Sequence, residues 1–142
     1  MKFDIKNTGI TTIKKLLTKG QISDLRSYII SINNSRYFKW KQHNNSNGKY
    51  TSGDVLSDPK IREYLNLKNL VVQIKTILFT DKLYYFYDSQ ISMGIGATGF
   101  HRDNVDRIKN RTNPDWLDDY TIFRVGIYLY DISNYSGGLE FI

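Results

Sequence analysis

The hydrophobic period of this chain changes near residue 70, and that change constrains the fold more than any other feature. Before it, apolar side chains recur three and four residues apart, as on one face of a helix. Residues 11–20, TTIKKLLTKG, place Ile13, Leu16 and Leu17 on such a stripe, with Thr11 or Thr12 as cap and Gly20 as terminator. SDLRSYIISIN repeats the pattern with Ile22, Leu25, Ile29 and Ile32, and Ser23 is its candidate cap. Residues 41–54, KQHNNSNGKYTSGD, show no period and read as a loop. Asp58-Pro59 then opens a third helix, with proline at its first position and Ile61, Tyr64 and Leu65 facing inward.

After residue 70 the pattern predicts strands. Residues 70–79, LVVQIKTILF, are rich in branched side chains, and residues 83–94, LYYFYDSQISMG, follow a turn at 80–82. Residues 121–131, TIFRVGIYLYD, make the clearest strand, and residues 139–142 begin another after the turn SNYSGG. Residues 107–120 read as a polar loop or short helix. Helices that precede strands imply an α+β or mainly β fold, with the helices packed outside a barrel-like sheet. At 142 residues the chain is expected to be a single domain, 1–69 mostly helical and 70–142 mostly strands.

Composition narrows the chemistry. The chain has no cysteine, which removes disulfides, thiolate-bound zinc and thiol nucleophiles. A metal site must therefore use histidine and carboxylate, a donor set suited to iron, manganese or magnesium. No apolar run is long enough for a signal peptide or membrane span, so the expected location is the cytoplasm. The net charge is +6, but Lys and Arg are scattered, with no run longer than Lys14-Lys15. That scatter argues against nucleic acid as the partner. It leaves a non-catalytic basic nucleic-acid-binding or partner-binding domain as the alternative reading.

Side chains alternate along a strand, so residues 121–131 divide into two faces. Phe123, Val125, Ile127 and Leu129 would pack beneath helices, while Arg124, Gly126, Tyr128 and Tyr130 share the other side. An arginine fork, a glycine and two tyrosines suit either a solvent face or the lining of a pocket for an anion. Alternation alone leaves both open.

The stretch GFHRDNVDR, residues 99–107, holds His101 and Asp103. A spacing of two puts both on one side of an extended backbone, where an imidazole nitrogen and a carboxylate could chelate one ion. These are two corners of a 2-His-1-carboxylate triad, although a bare His-x-Asp also occurs in ordinary polar turns. A calcium loop is excluded, because Val105 and Arg107 interrupt the alternating acidic pattern.

The ordered run GFHRDNVDR, DW, FRVGIYLYD and SGGLEF resembles the phytanoyl-CoA dioxygenase family, from about residue 70 onward. These enzymes are Fe(II)- and 2-oxoglutarate-dependent oxygenases built on a double-stranded β-helix, or jelly roll. The resemblance implies that His101 and Asp103 are the first two iron ligands. It places Arg124 and Tyr128 on the strand lining the co-substrate pocket, and the retained Asp103 implies hydroxylation of a small organic substrate rather than halogenation. The family also requires a later histidine and an arginine for the distal carboxylate of 2-oxoglutarate. Neither is matched here, since His43, the only other histidine, lies upstream in what reads as a surface loop. The expectation is an N-terminal portion with an incomplete jelly roll. A second chain or a downstream segment would supply the missing histidine and arginine.

Overall fold

Thr18 sets where the first long helix begins. The computed structural model describes residues 5–44, 47–94 and 123–132 of a chain that divides into two compact units, Met1–Ile95 and Gly96–Ile142. In the first unit, α1 (Ile5–Thr8) precedes α2 (Lys19–Ser31). The Gln21 amide donates to Thr18 Oγ1 at 3.2 Å, and the Thr18 amide donates to Gln21 Oε1 at 2.9 Å. This reciprocal capping box satisfies amides that the first helical turn leaves unpaired. It also corrects two expectations. Residues 11–18 are not helical, and Gly20 lies inside the first turn of α2 instead of ending a helix before Ser23. The stripe itself holds: Leu25 and Ile29 are buried, and Ile22 and Ile32 are half-buried.

Residues 41–54 are not one loop. β1 (Phe38–Gln42) and β2 (Lys49–Gly53) form an antiparallel hairpin in which Trp40 faces Thr51 and Lys41 faces Tyr50. A short strand, β3 (Ser92–Met93), adds antiparallel to the free side of β2, giving the order β1-β2-β3. Phe38 and Thr51 are buried on one face, and the Trp40 indole N–H reaches the Ile32 carbonyl at 2.9 Å, tying the hairpin to the end of α2. Buried Thr51 is satisfied, since its Oγ1 accepts the Ile91 amide at 2.9 Å. Gly53, at φ 102°, ends β2 where only glycine fits: a Cβ there would lie 2.6 Å from the Tyr37 carbonyl oxygen.

A 3-10 turn (Val55–Ser57) leads to α3 (Pro59–Tyr64), which begins as its sequence predicts. Asp58 Oδ1 accepts the amides of Lys60 at 2.8 Å and Ile61 at 3.4 Å, and Oδ2 accepts the Tyr28 hydroxyl at 3.0 Å. Leu25 and Ile29 of α2 join Val55, Ile61, Leu65 and Leu70 among the buried side chains of this unit.

The predicted strand at 70–79 is a helix, α4 (Leu67–Leu78). Its branched side chains pointed to a strand. Yet Leu67, Leu70, Val71, Ile74 and Leu78 also fall on one helical stripe; Leu70 is buried and the others are half-buried, whereas Val72 stays exposed. Helical period outweighs β propensity because propensity differences are small beside the burial of a whole face. The predicted strand at 83–94 survives only at β3. Tyr87 sits in the left-handed region at φ 55°, which breaks an extended path, and Tyr84 and Tyr87 are exposed.

In the second unit, residues 123–132 form no strand. The face expected to be buried is not, since Phe123 and Val125 are exposed and Ile127 and Leu129 are only half-buried. Alternation states which face a ladder would bury. A strand also needs a neighbour to satisfy its amides and carbonyls, and residues 123–132 have no ladder partner among the described residues. The α+β class therefore holds, carried by helices and a three-stranded antiparallel sheet.

Candidate functional site

Arg124 and Tyr128 are both exposed, Tyr128 to 46%. The guanidinium and the phenol, four residues apart with Gly126 midway between them, are thus exposed to solvent. His101 and Asp103 lie outside the described residues, as do the stretch 107–120 and residues 139–142. His43, expected at the surface of a loop, is half-buried, with its ring edge-on to Tyr50 at 6.4 Å between centroids. The hairpin brings them together, because His43 follows β1 directly and Tyr50 lies in β2. Among the described residues, no group of three or more His, Asp or Glu is placed to hold a metal.

Among the described residues of the first unit, Asp54 and Tyr85 are two clearly shifted ionisable groups to which no motif in the sequence points. Asp54 follows β2, and its Oδ2 accepts the Ser57 hydroxyl at 2.6 Å. Its Oδ1 accepts the hydroxyls of Tyr85 and Ser89. Ser89 Oγ in turn accepts the Leu56 amide at 2.9 Å. Burial pushes the Asp54 carboxyl up, but hydrogen bonds from Ser57, Ser89, Tyr85 and the Leu56 amide outweigh it and hold the group below its ordinary value. The Tyr85 phenol is pushed up to about 12, by partial burial and then by the hydrogen bond it donates to Asp54.

A carboxylate with both oxygens occupied by donors is a poor general base, because accepting a proton means giving up those bonds. Asp54 is better suited to anchoring. It fastens the aromatic segment around Tyr85 to the 3-10 turn, while Tyr84, Phe86 and Tyr87 remain exposed. The Asp54–Ser57 pair is visible in the sequence as a local turn, but Tyr85 and Ser89 lie 31 and 35 residues further on.

The anchor fixes the sign of a pH dependence. A depressed carboxyl pKa means that the ionised form stabilises the fold above the unfolded value, near 3.8, and that this contribution is lost as pH falls through the lower folded value. Tyr85 works in the opposite sense: its neutral phenol stabilises below 10 and loses that contribution as pH rises toward about 12. Urea midpoints measured against pH should therefore fall on both limbs. Asp54→Asn should flatten the acid limb, and Tyr85→Phe the alkaline one.

Among the described residues, no helix is long and apolar enough to cross a membrane. No family model, curated protein or solved structure matches this chain.

Proposed function

We propose that this chain carries the iron-binding portion of an Fe(II)- and 2-oxoglutarate-dependent dioxygenase of the phytanoyl-CoA type, a cytoplasmic oxidoreductase that hydroxylates a small organic substrate. The observation that carries the proposal is the order of its motifs: GFHRDN, then RVGIYLYD, then SGGLEF. The donor set agrees with the metal. One neutral imidazole and one carboxylate in a cysteine-free chain suit Fe(II) and leave positions free for other ligands. The double-stranded β-helix belongs to the same proposal; among the described residues beyond Leu78 only Ser92–Met93 is strand, so the remaining strands of the jelly roll rest on the resemblance alone.

When bound, Fe(II) and 2-oxoglutarate supply the oxidising power that converts an unactivated C–H bond to an alcohol. The chain's own part is placement. His101 and Asp103 hold the ion, and Arg124 offers a fixed, permanently charged fork to a carboxylate. Tyr128, four residues further on, offers a hydroxyl. No histidine follows Asp103 in the sequence, so the proposal includes a third ligand, and the arginine for the distal carboxylate, from a second chain or a further segment.

The test is anaerobic Fe(II) titration with and without 2-oxoglutarate, comparing the wild type with Asp103→Ala. Losing a direct ligand should weaken Fe(II) binding by at least about tenfold, since even outer-shell changes cost about 10–100-fold. The visible charge-transfer band of the 2-oxoglutarate complex should disappear with it. Equal binding by both proteins would remove the assignment.

A further inference from the structure

The sequence scatters its lysines, but the hairpin gathers two of them. Lys39 and Lys41 alternate with Phe38, Trp40 and Gln42 along β1, so they project from the sheet face opposite the buried Phe38 and Thr51. The register places Lys41 beside Tyr50, Lys39 beside Ser52, and Tyr50 beside Ser92. Tyr50 and the neighbouring ring of His43 thus share a face with two ammonium groups set about 7 Å apart along the strand.

The two strands of this hairpin carry no carboxylate to offset that charge. Residues 25–53 contain no Asp or Glu and five Lys or Arg. Lys49 and Lys60 are engaged elsewhere, lying over the rings of Trp40 at 4.5 Å and Tyr28 at 4.9 Å. Lys39 and Lys41 are exposed, and among the described residues neither forms an ion pair.

We propose that this hairpin face binds single-stranded nucleic acid, with Lys39 and Lys41 on phosphates and Tyr50 and His43 as stacking surfaces. The chemistry is that of a flat sheet presenting cations beside aromatic rings. It suits a strand whose bases are free to stack, whereas a duplex hides its base faces. This inference concerns the first unit alone and is independent of the iron site proposed for the second.

Fluorescence anisotropy of labelled oligothymidylate and oligouridylate with the full chain, beginning near about 50 mM salt, tests it. For Lys39→Gln/Lys41→Gln, binding should weaken by about tenfold or more. The slope of log K against log salt should become shallower by about 1.4, the value for two lost single-strand phosphate contacts. Lys68→Gln/Lys82→Gln removes the same charge from exposed positions elsewhere and should leave the slope near that of the wild type. Equal losses in both double variants would reduce the effect to net charge and overturn the site. Failure of the wild type to bind, or tighter binding to duplex than to single strands, would also overturn it.

Discussion

Leu25→Ala should lower the unfolding free energy by about 3 kcal/mol, within the range of about 2–5 kcal/mol measured for buried leucine truncations. Leu25 is 2% exposed, on the buried side of α2, one helical turn from Ile29. The space it would vacate cannot readily close. α2 is held at one end by the Trp40 indole bonded to the Ile32 carbonyl, and along its length by the Tyr28 hydroxyl bonded to Asp58. Restrained walls keep the cavity open, so lost contacts add to lost transfer free energy. Small domains are stable by only about 5–15 kcal/mol, so the variant should show a large shift in urea midpoint with little change in slope. Ile30→Ala, on the exposed side of the same helix at 56% exposure, should move the midpoint little. Similar losses at both positions would mean that α2 does not bury the face described here.

Asp58→Ala should cost about 2–4 kcal/mol, for a different reason. Asp58 is 4% exposed, and its carboxylate does two jobs: it caps α3 through the Lys60 and Ile61 amides, and it accepts the Tyr28 hydroxyl. Loss of an N-cap costs about 0.5–2 kcal/mol, and a polar group left without its partner about 1–3 kcal/mol. Asp58→Asn keeps a carbonyl for the amides and offers an N–H group to the phenolic oxygen, so it should recover much of the loss. Tyr28→Phe in the Asp58→Ala background removes the stranded hydroxyl. The double variant should therefore be less destabilised than the sum of the two single ones. Tyr28 supplies a second readout. Burial and then the Asp58 hydrogen bond raise its pKa, so its neutral phenol stabilises the fold below 10 and that contribution is lost as pH rises through the folded value. In Asp58→Ala the Tyr28 absorbance titration should move back toward 10.

Part of this architecture is legible residue by residue. Asp58-Pro59 announces α3 because a cap and a proline act within one turn. The stripe Leu25–Ile29 announces α2 because burial follows the helical period. The hairpin also leaves a trace, since YFKWKQ alternates and NG follows it, but the Asn-rich stretch between them has no period and masks the pairing. In α4, branched residues suggested a strand although their spacing suited a helix. Residues 123–132 alternate well and still form no strand, because no ladder partner is present among the described residues.

The sequence by itself therefore determined what short-range chemistry controls: the Asp58 cap of α3, the stripe of α2, the absence of thiol chemistry and the His-x-Asp spacing. Tertiary structure alone decided which faces are covered and which distant groups meet. Asp54 acquires Tyr85 and Ser89 from across more than thirty residues, and Lys39 and Lys41 become one surface with Tyr50 only when β1 and β2 pair. The physical reason is range. A cap or a stripe is fixed by backbone geometry within a few residues, whereas hydrogen bonds between remote segments depend on how the whole chain closes its loops.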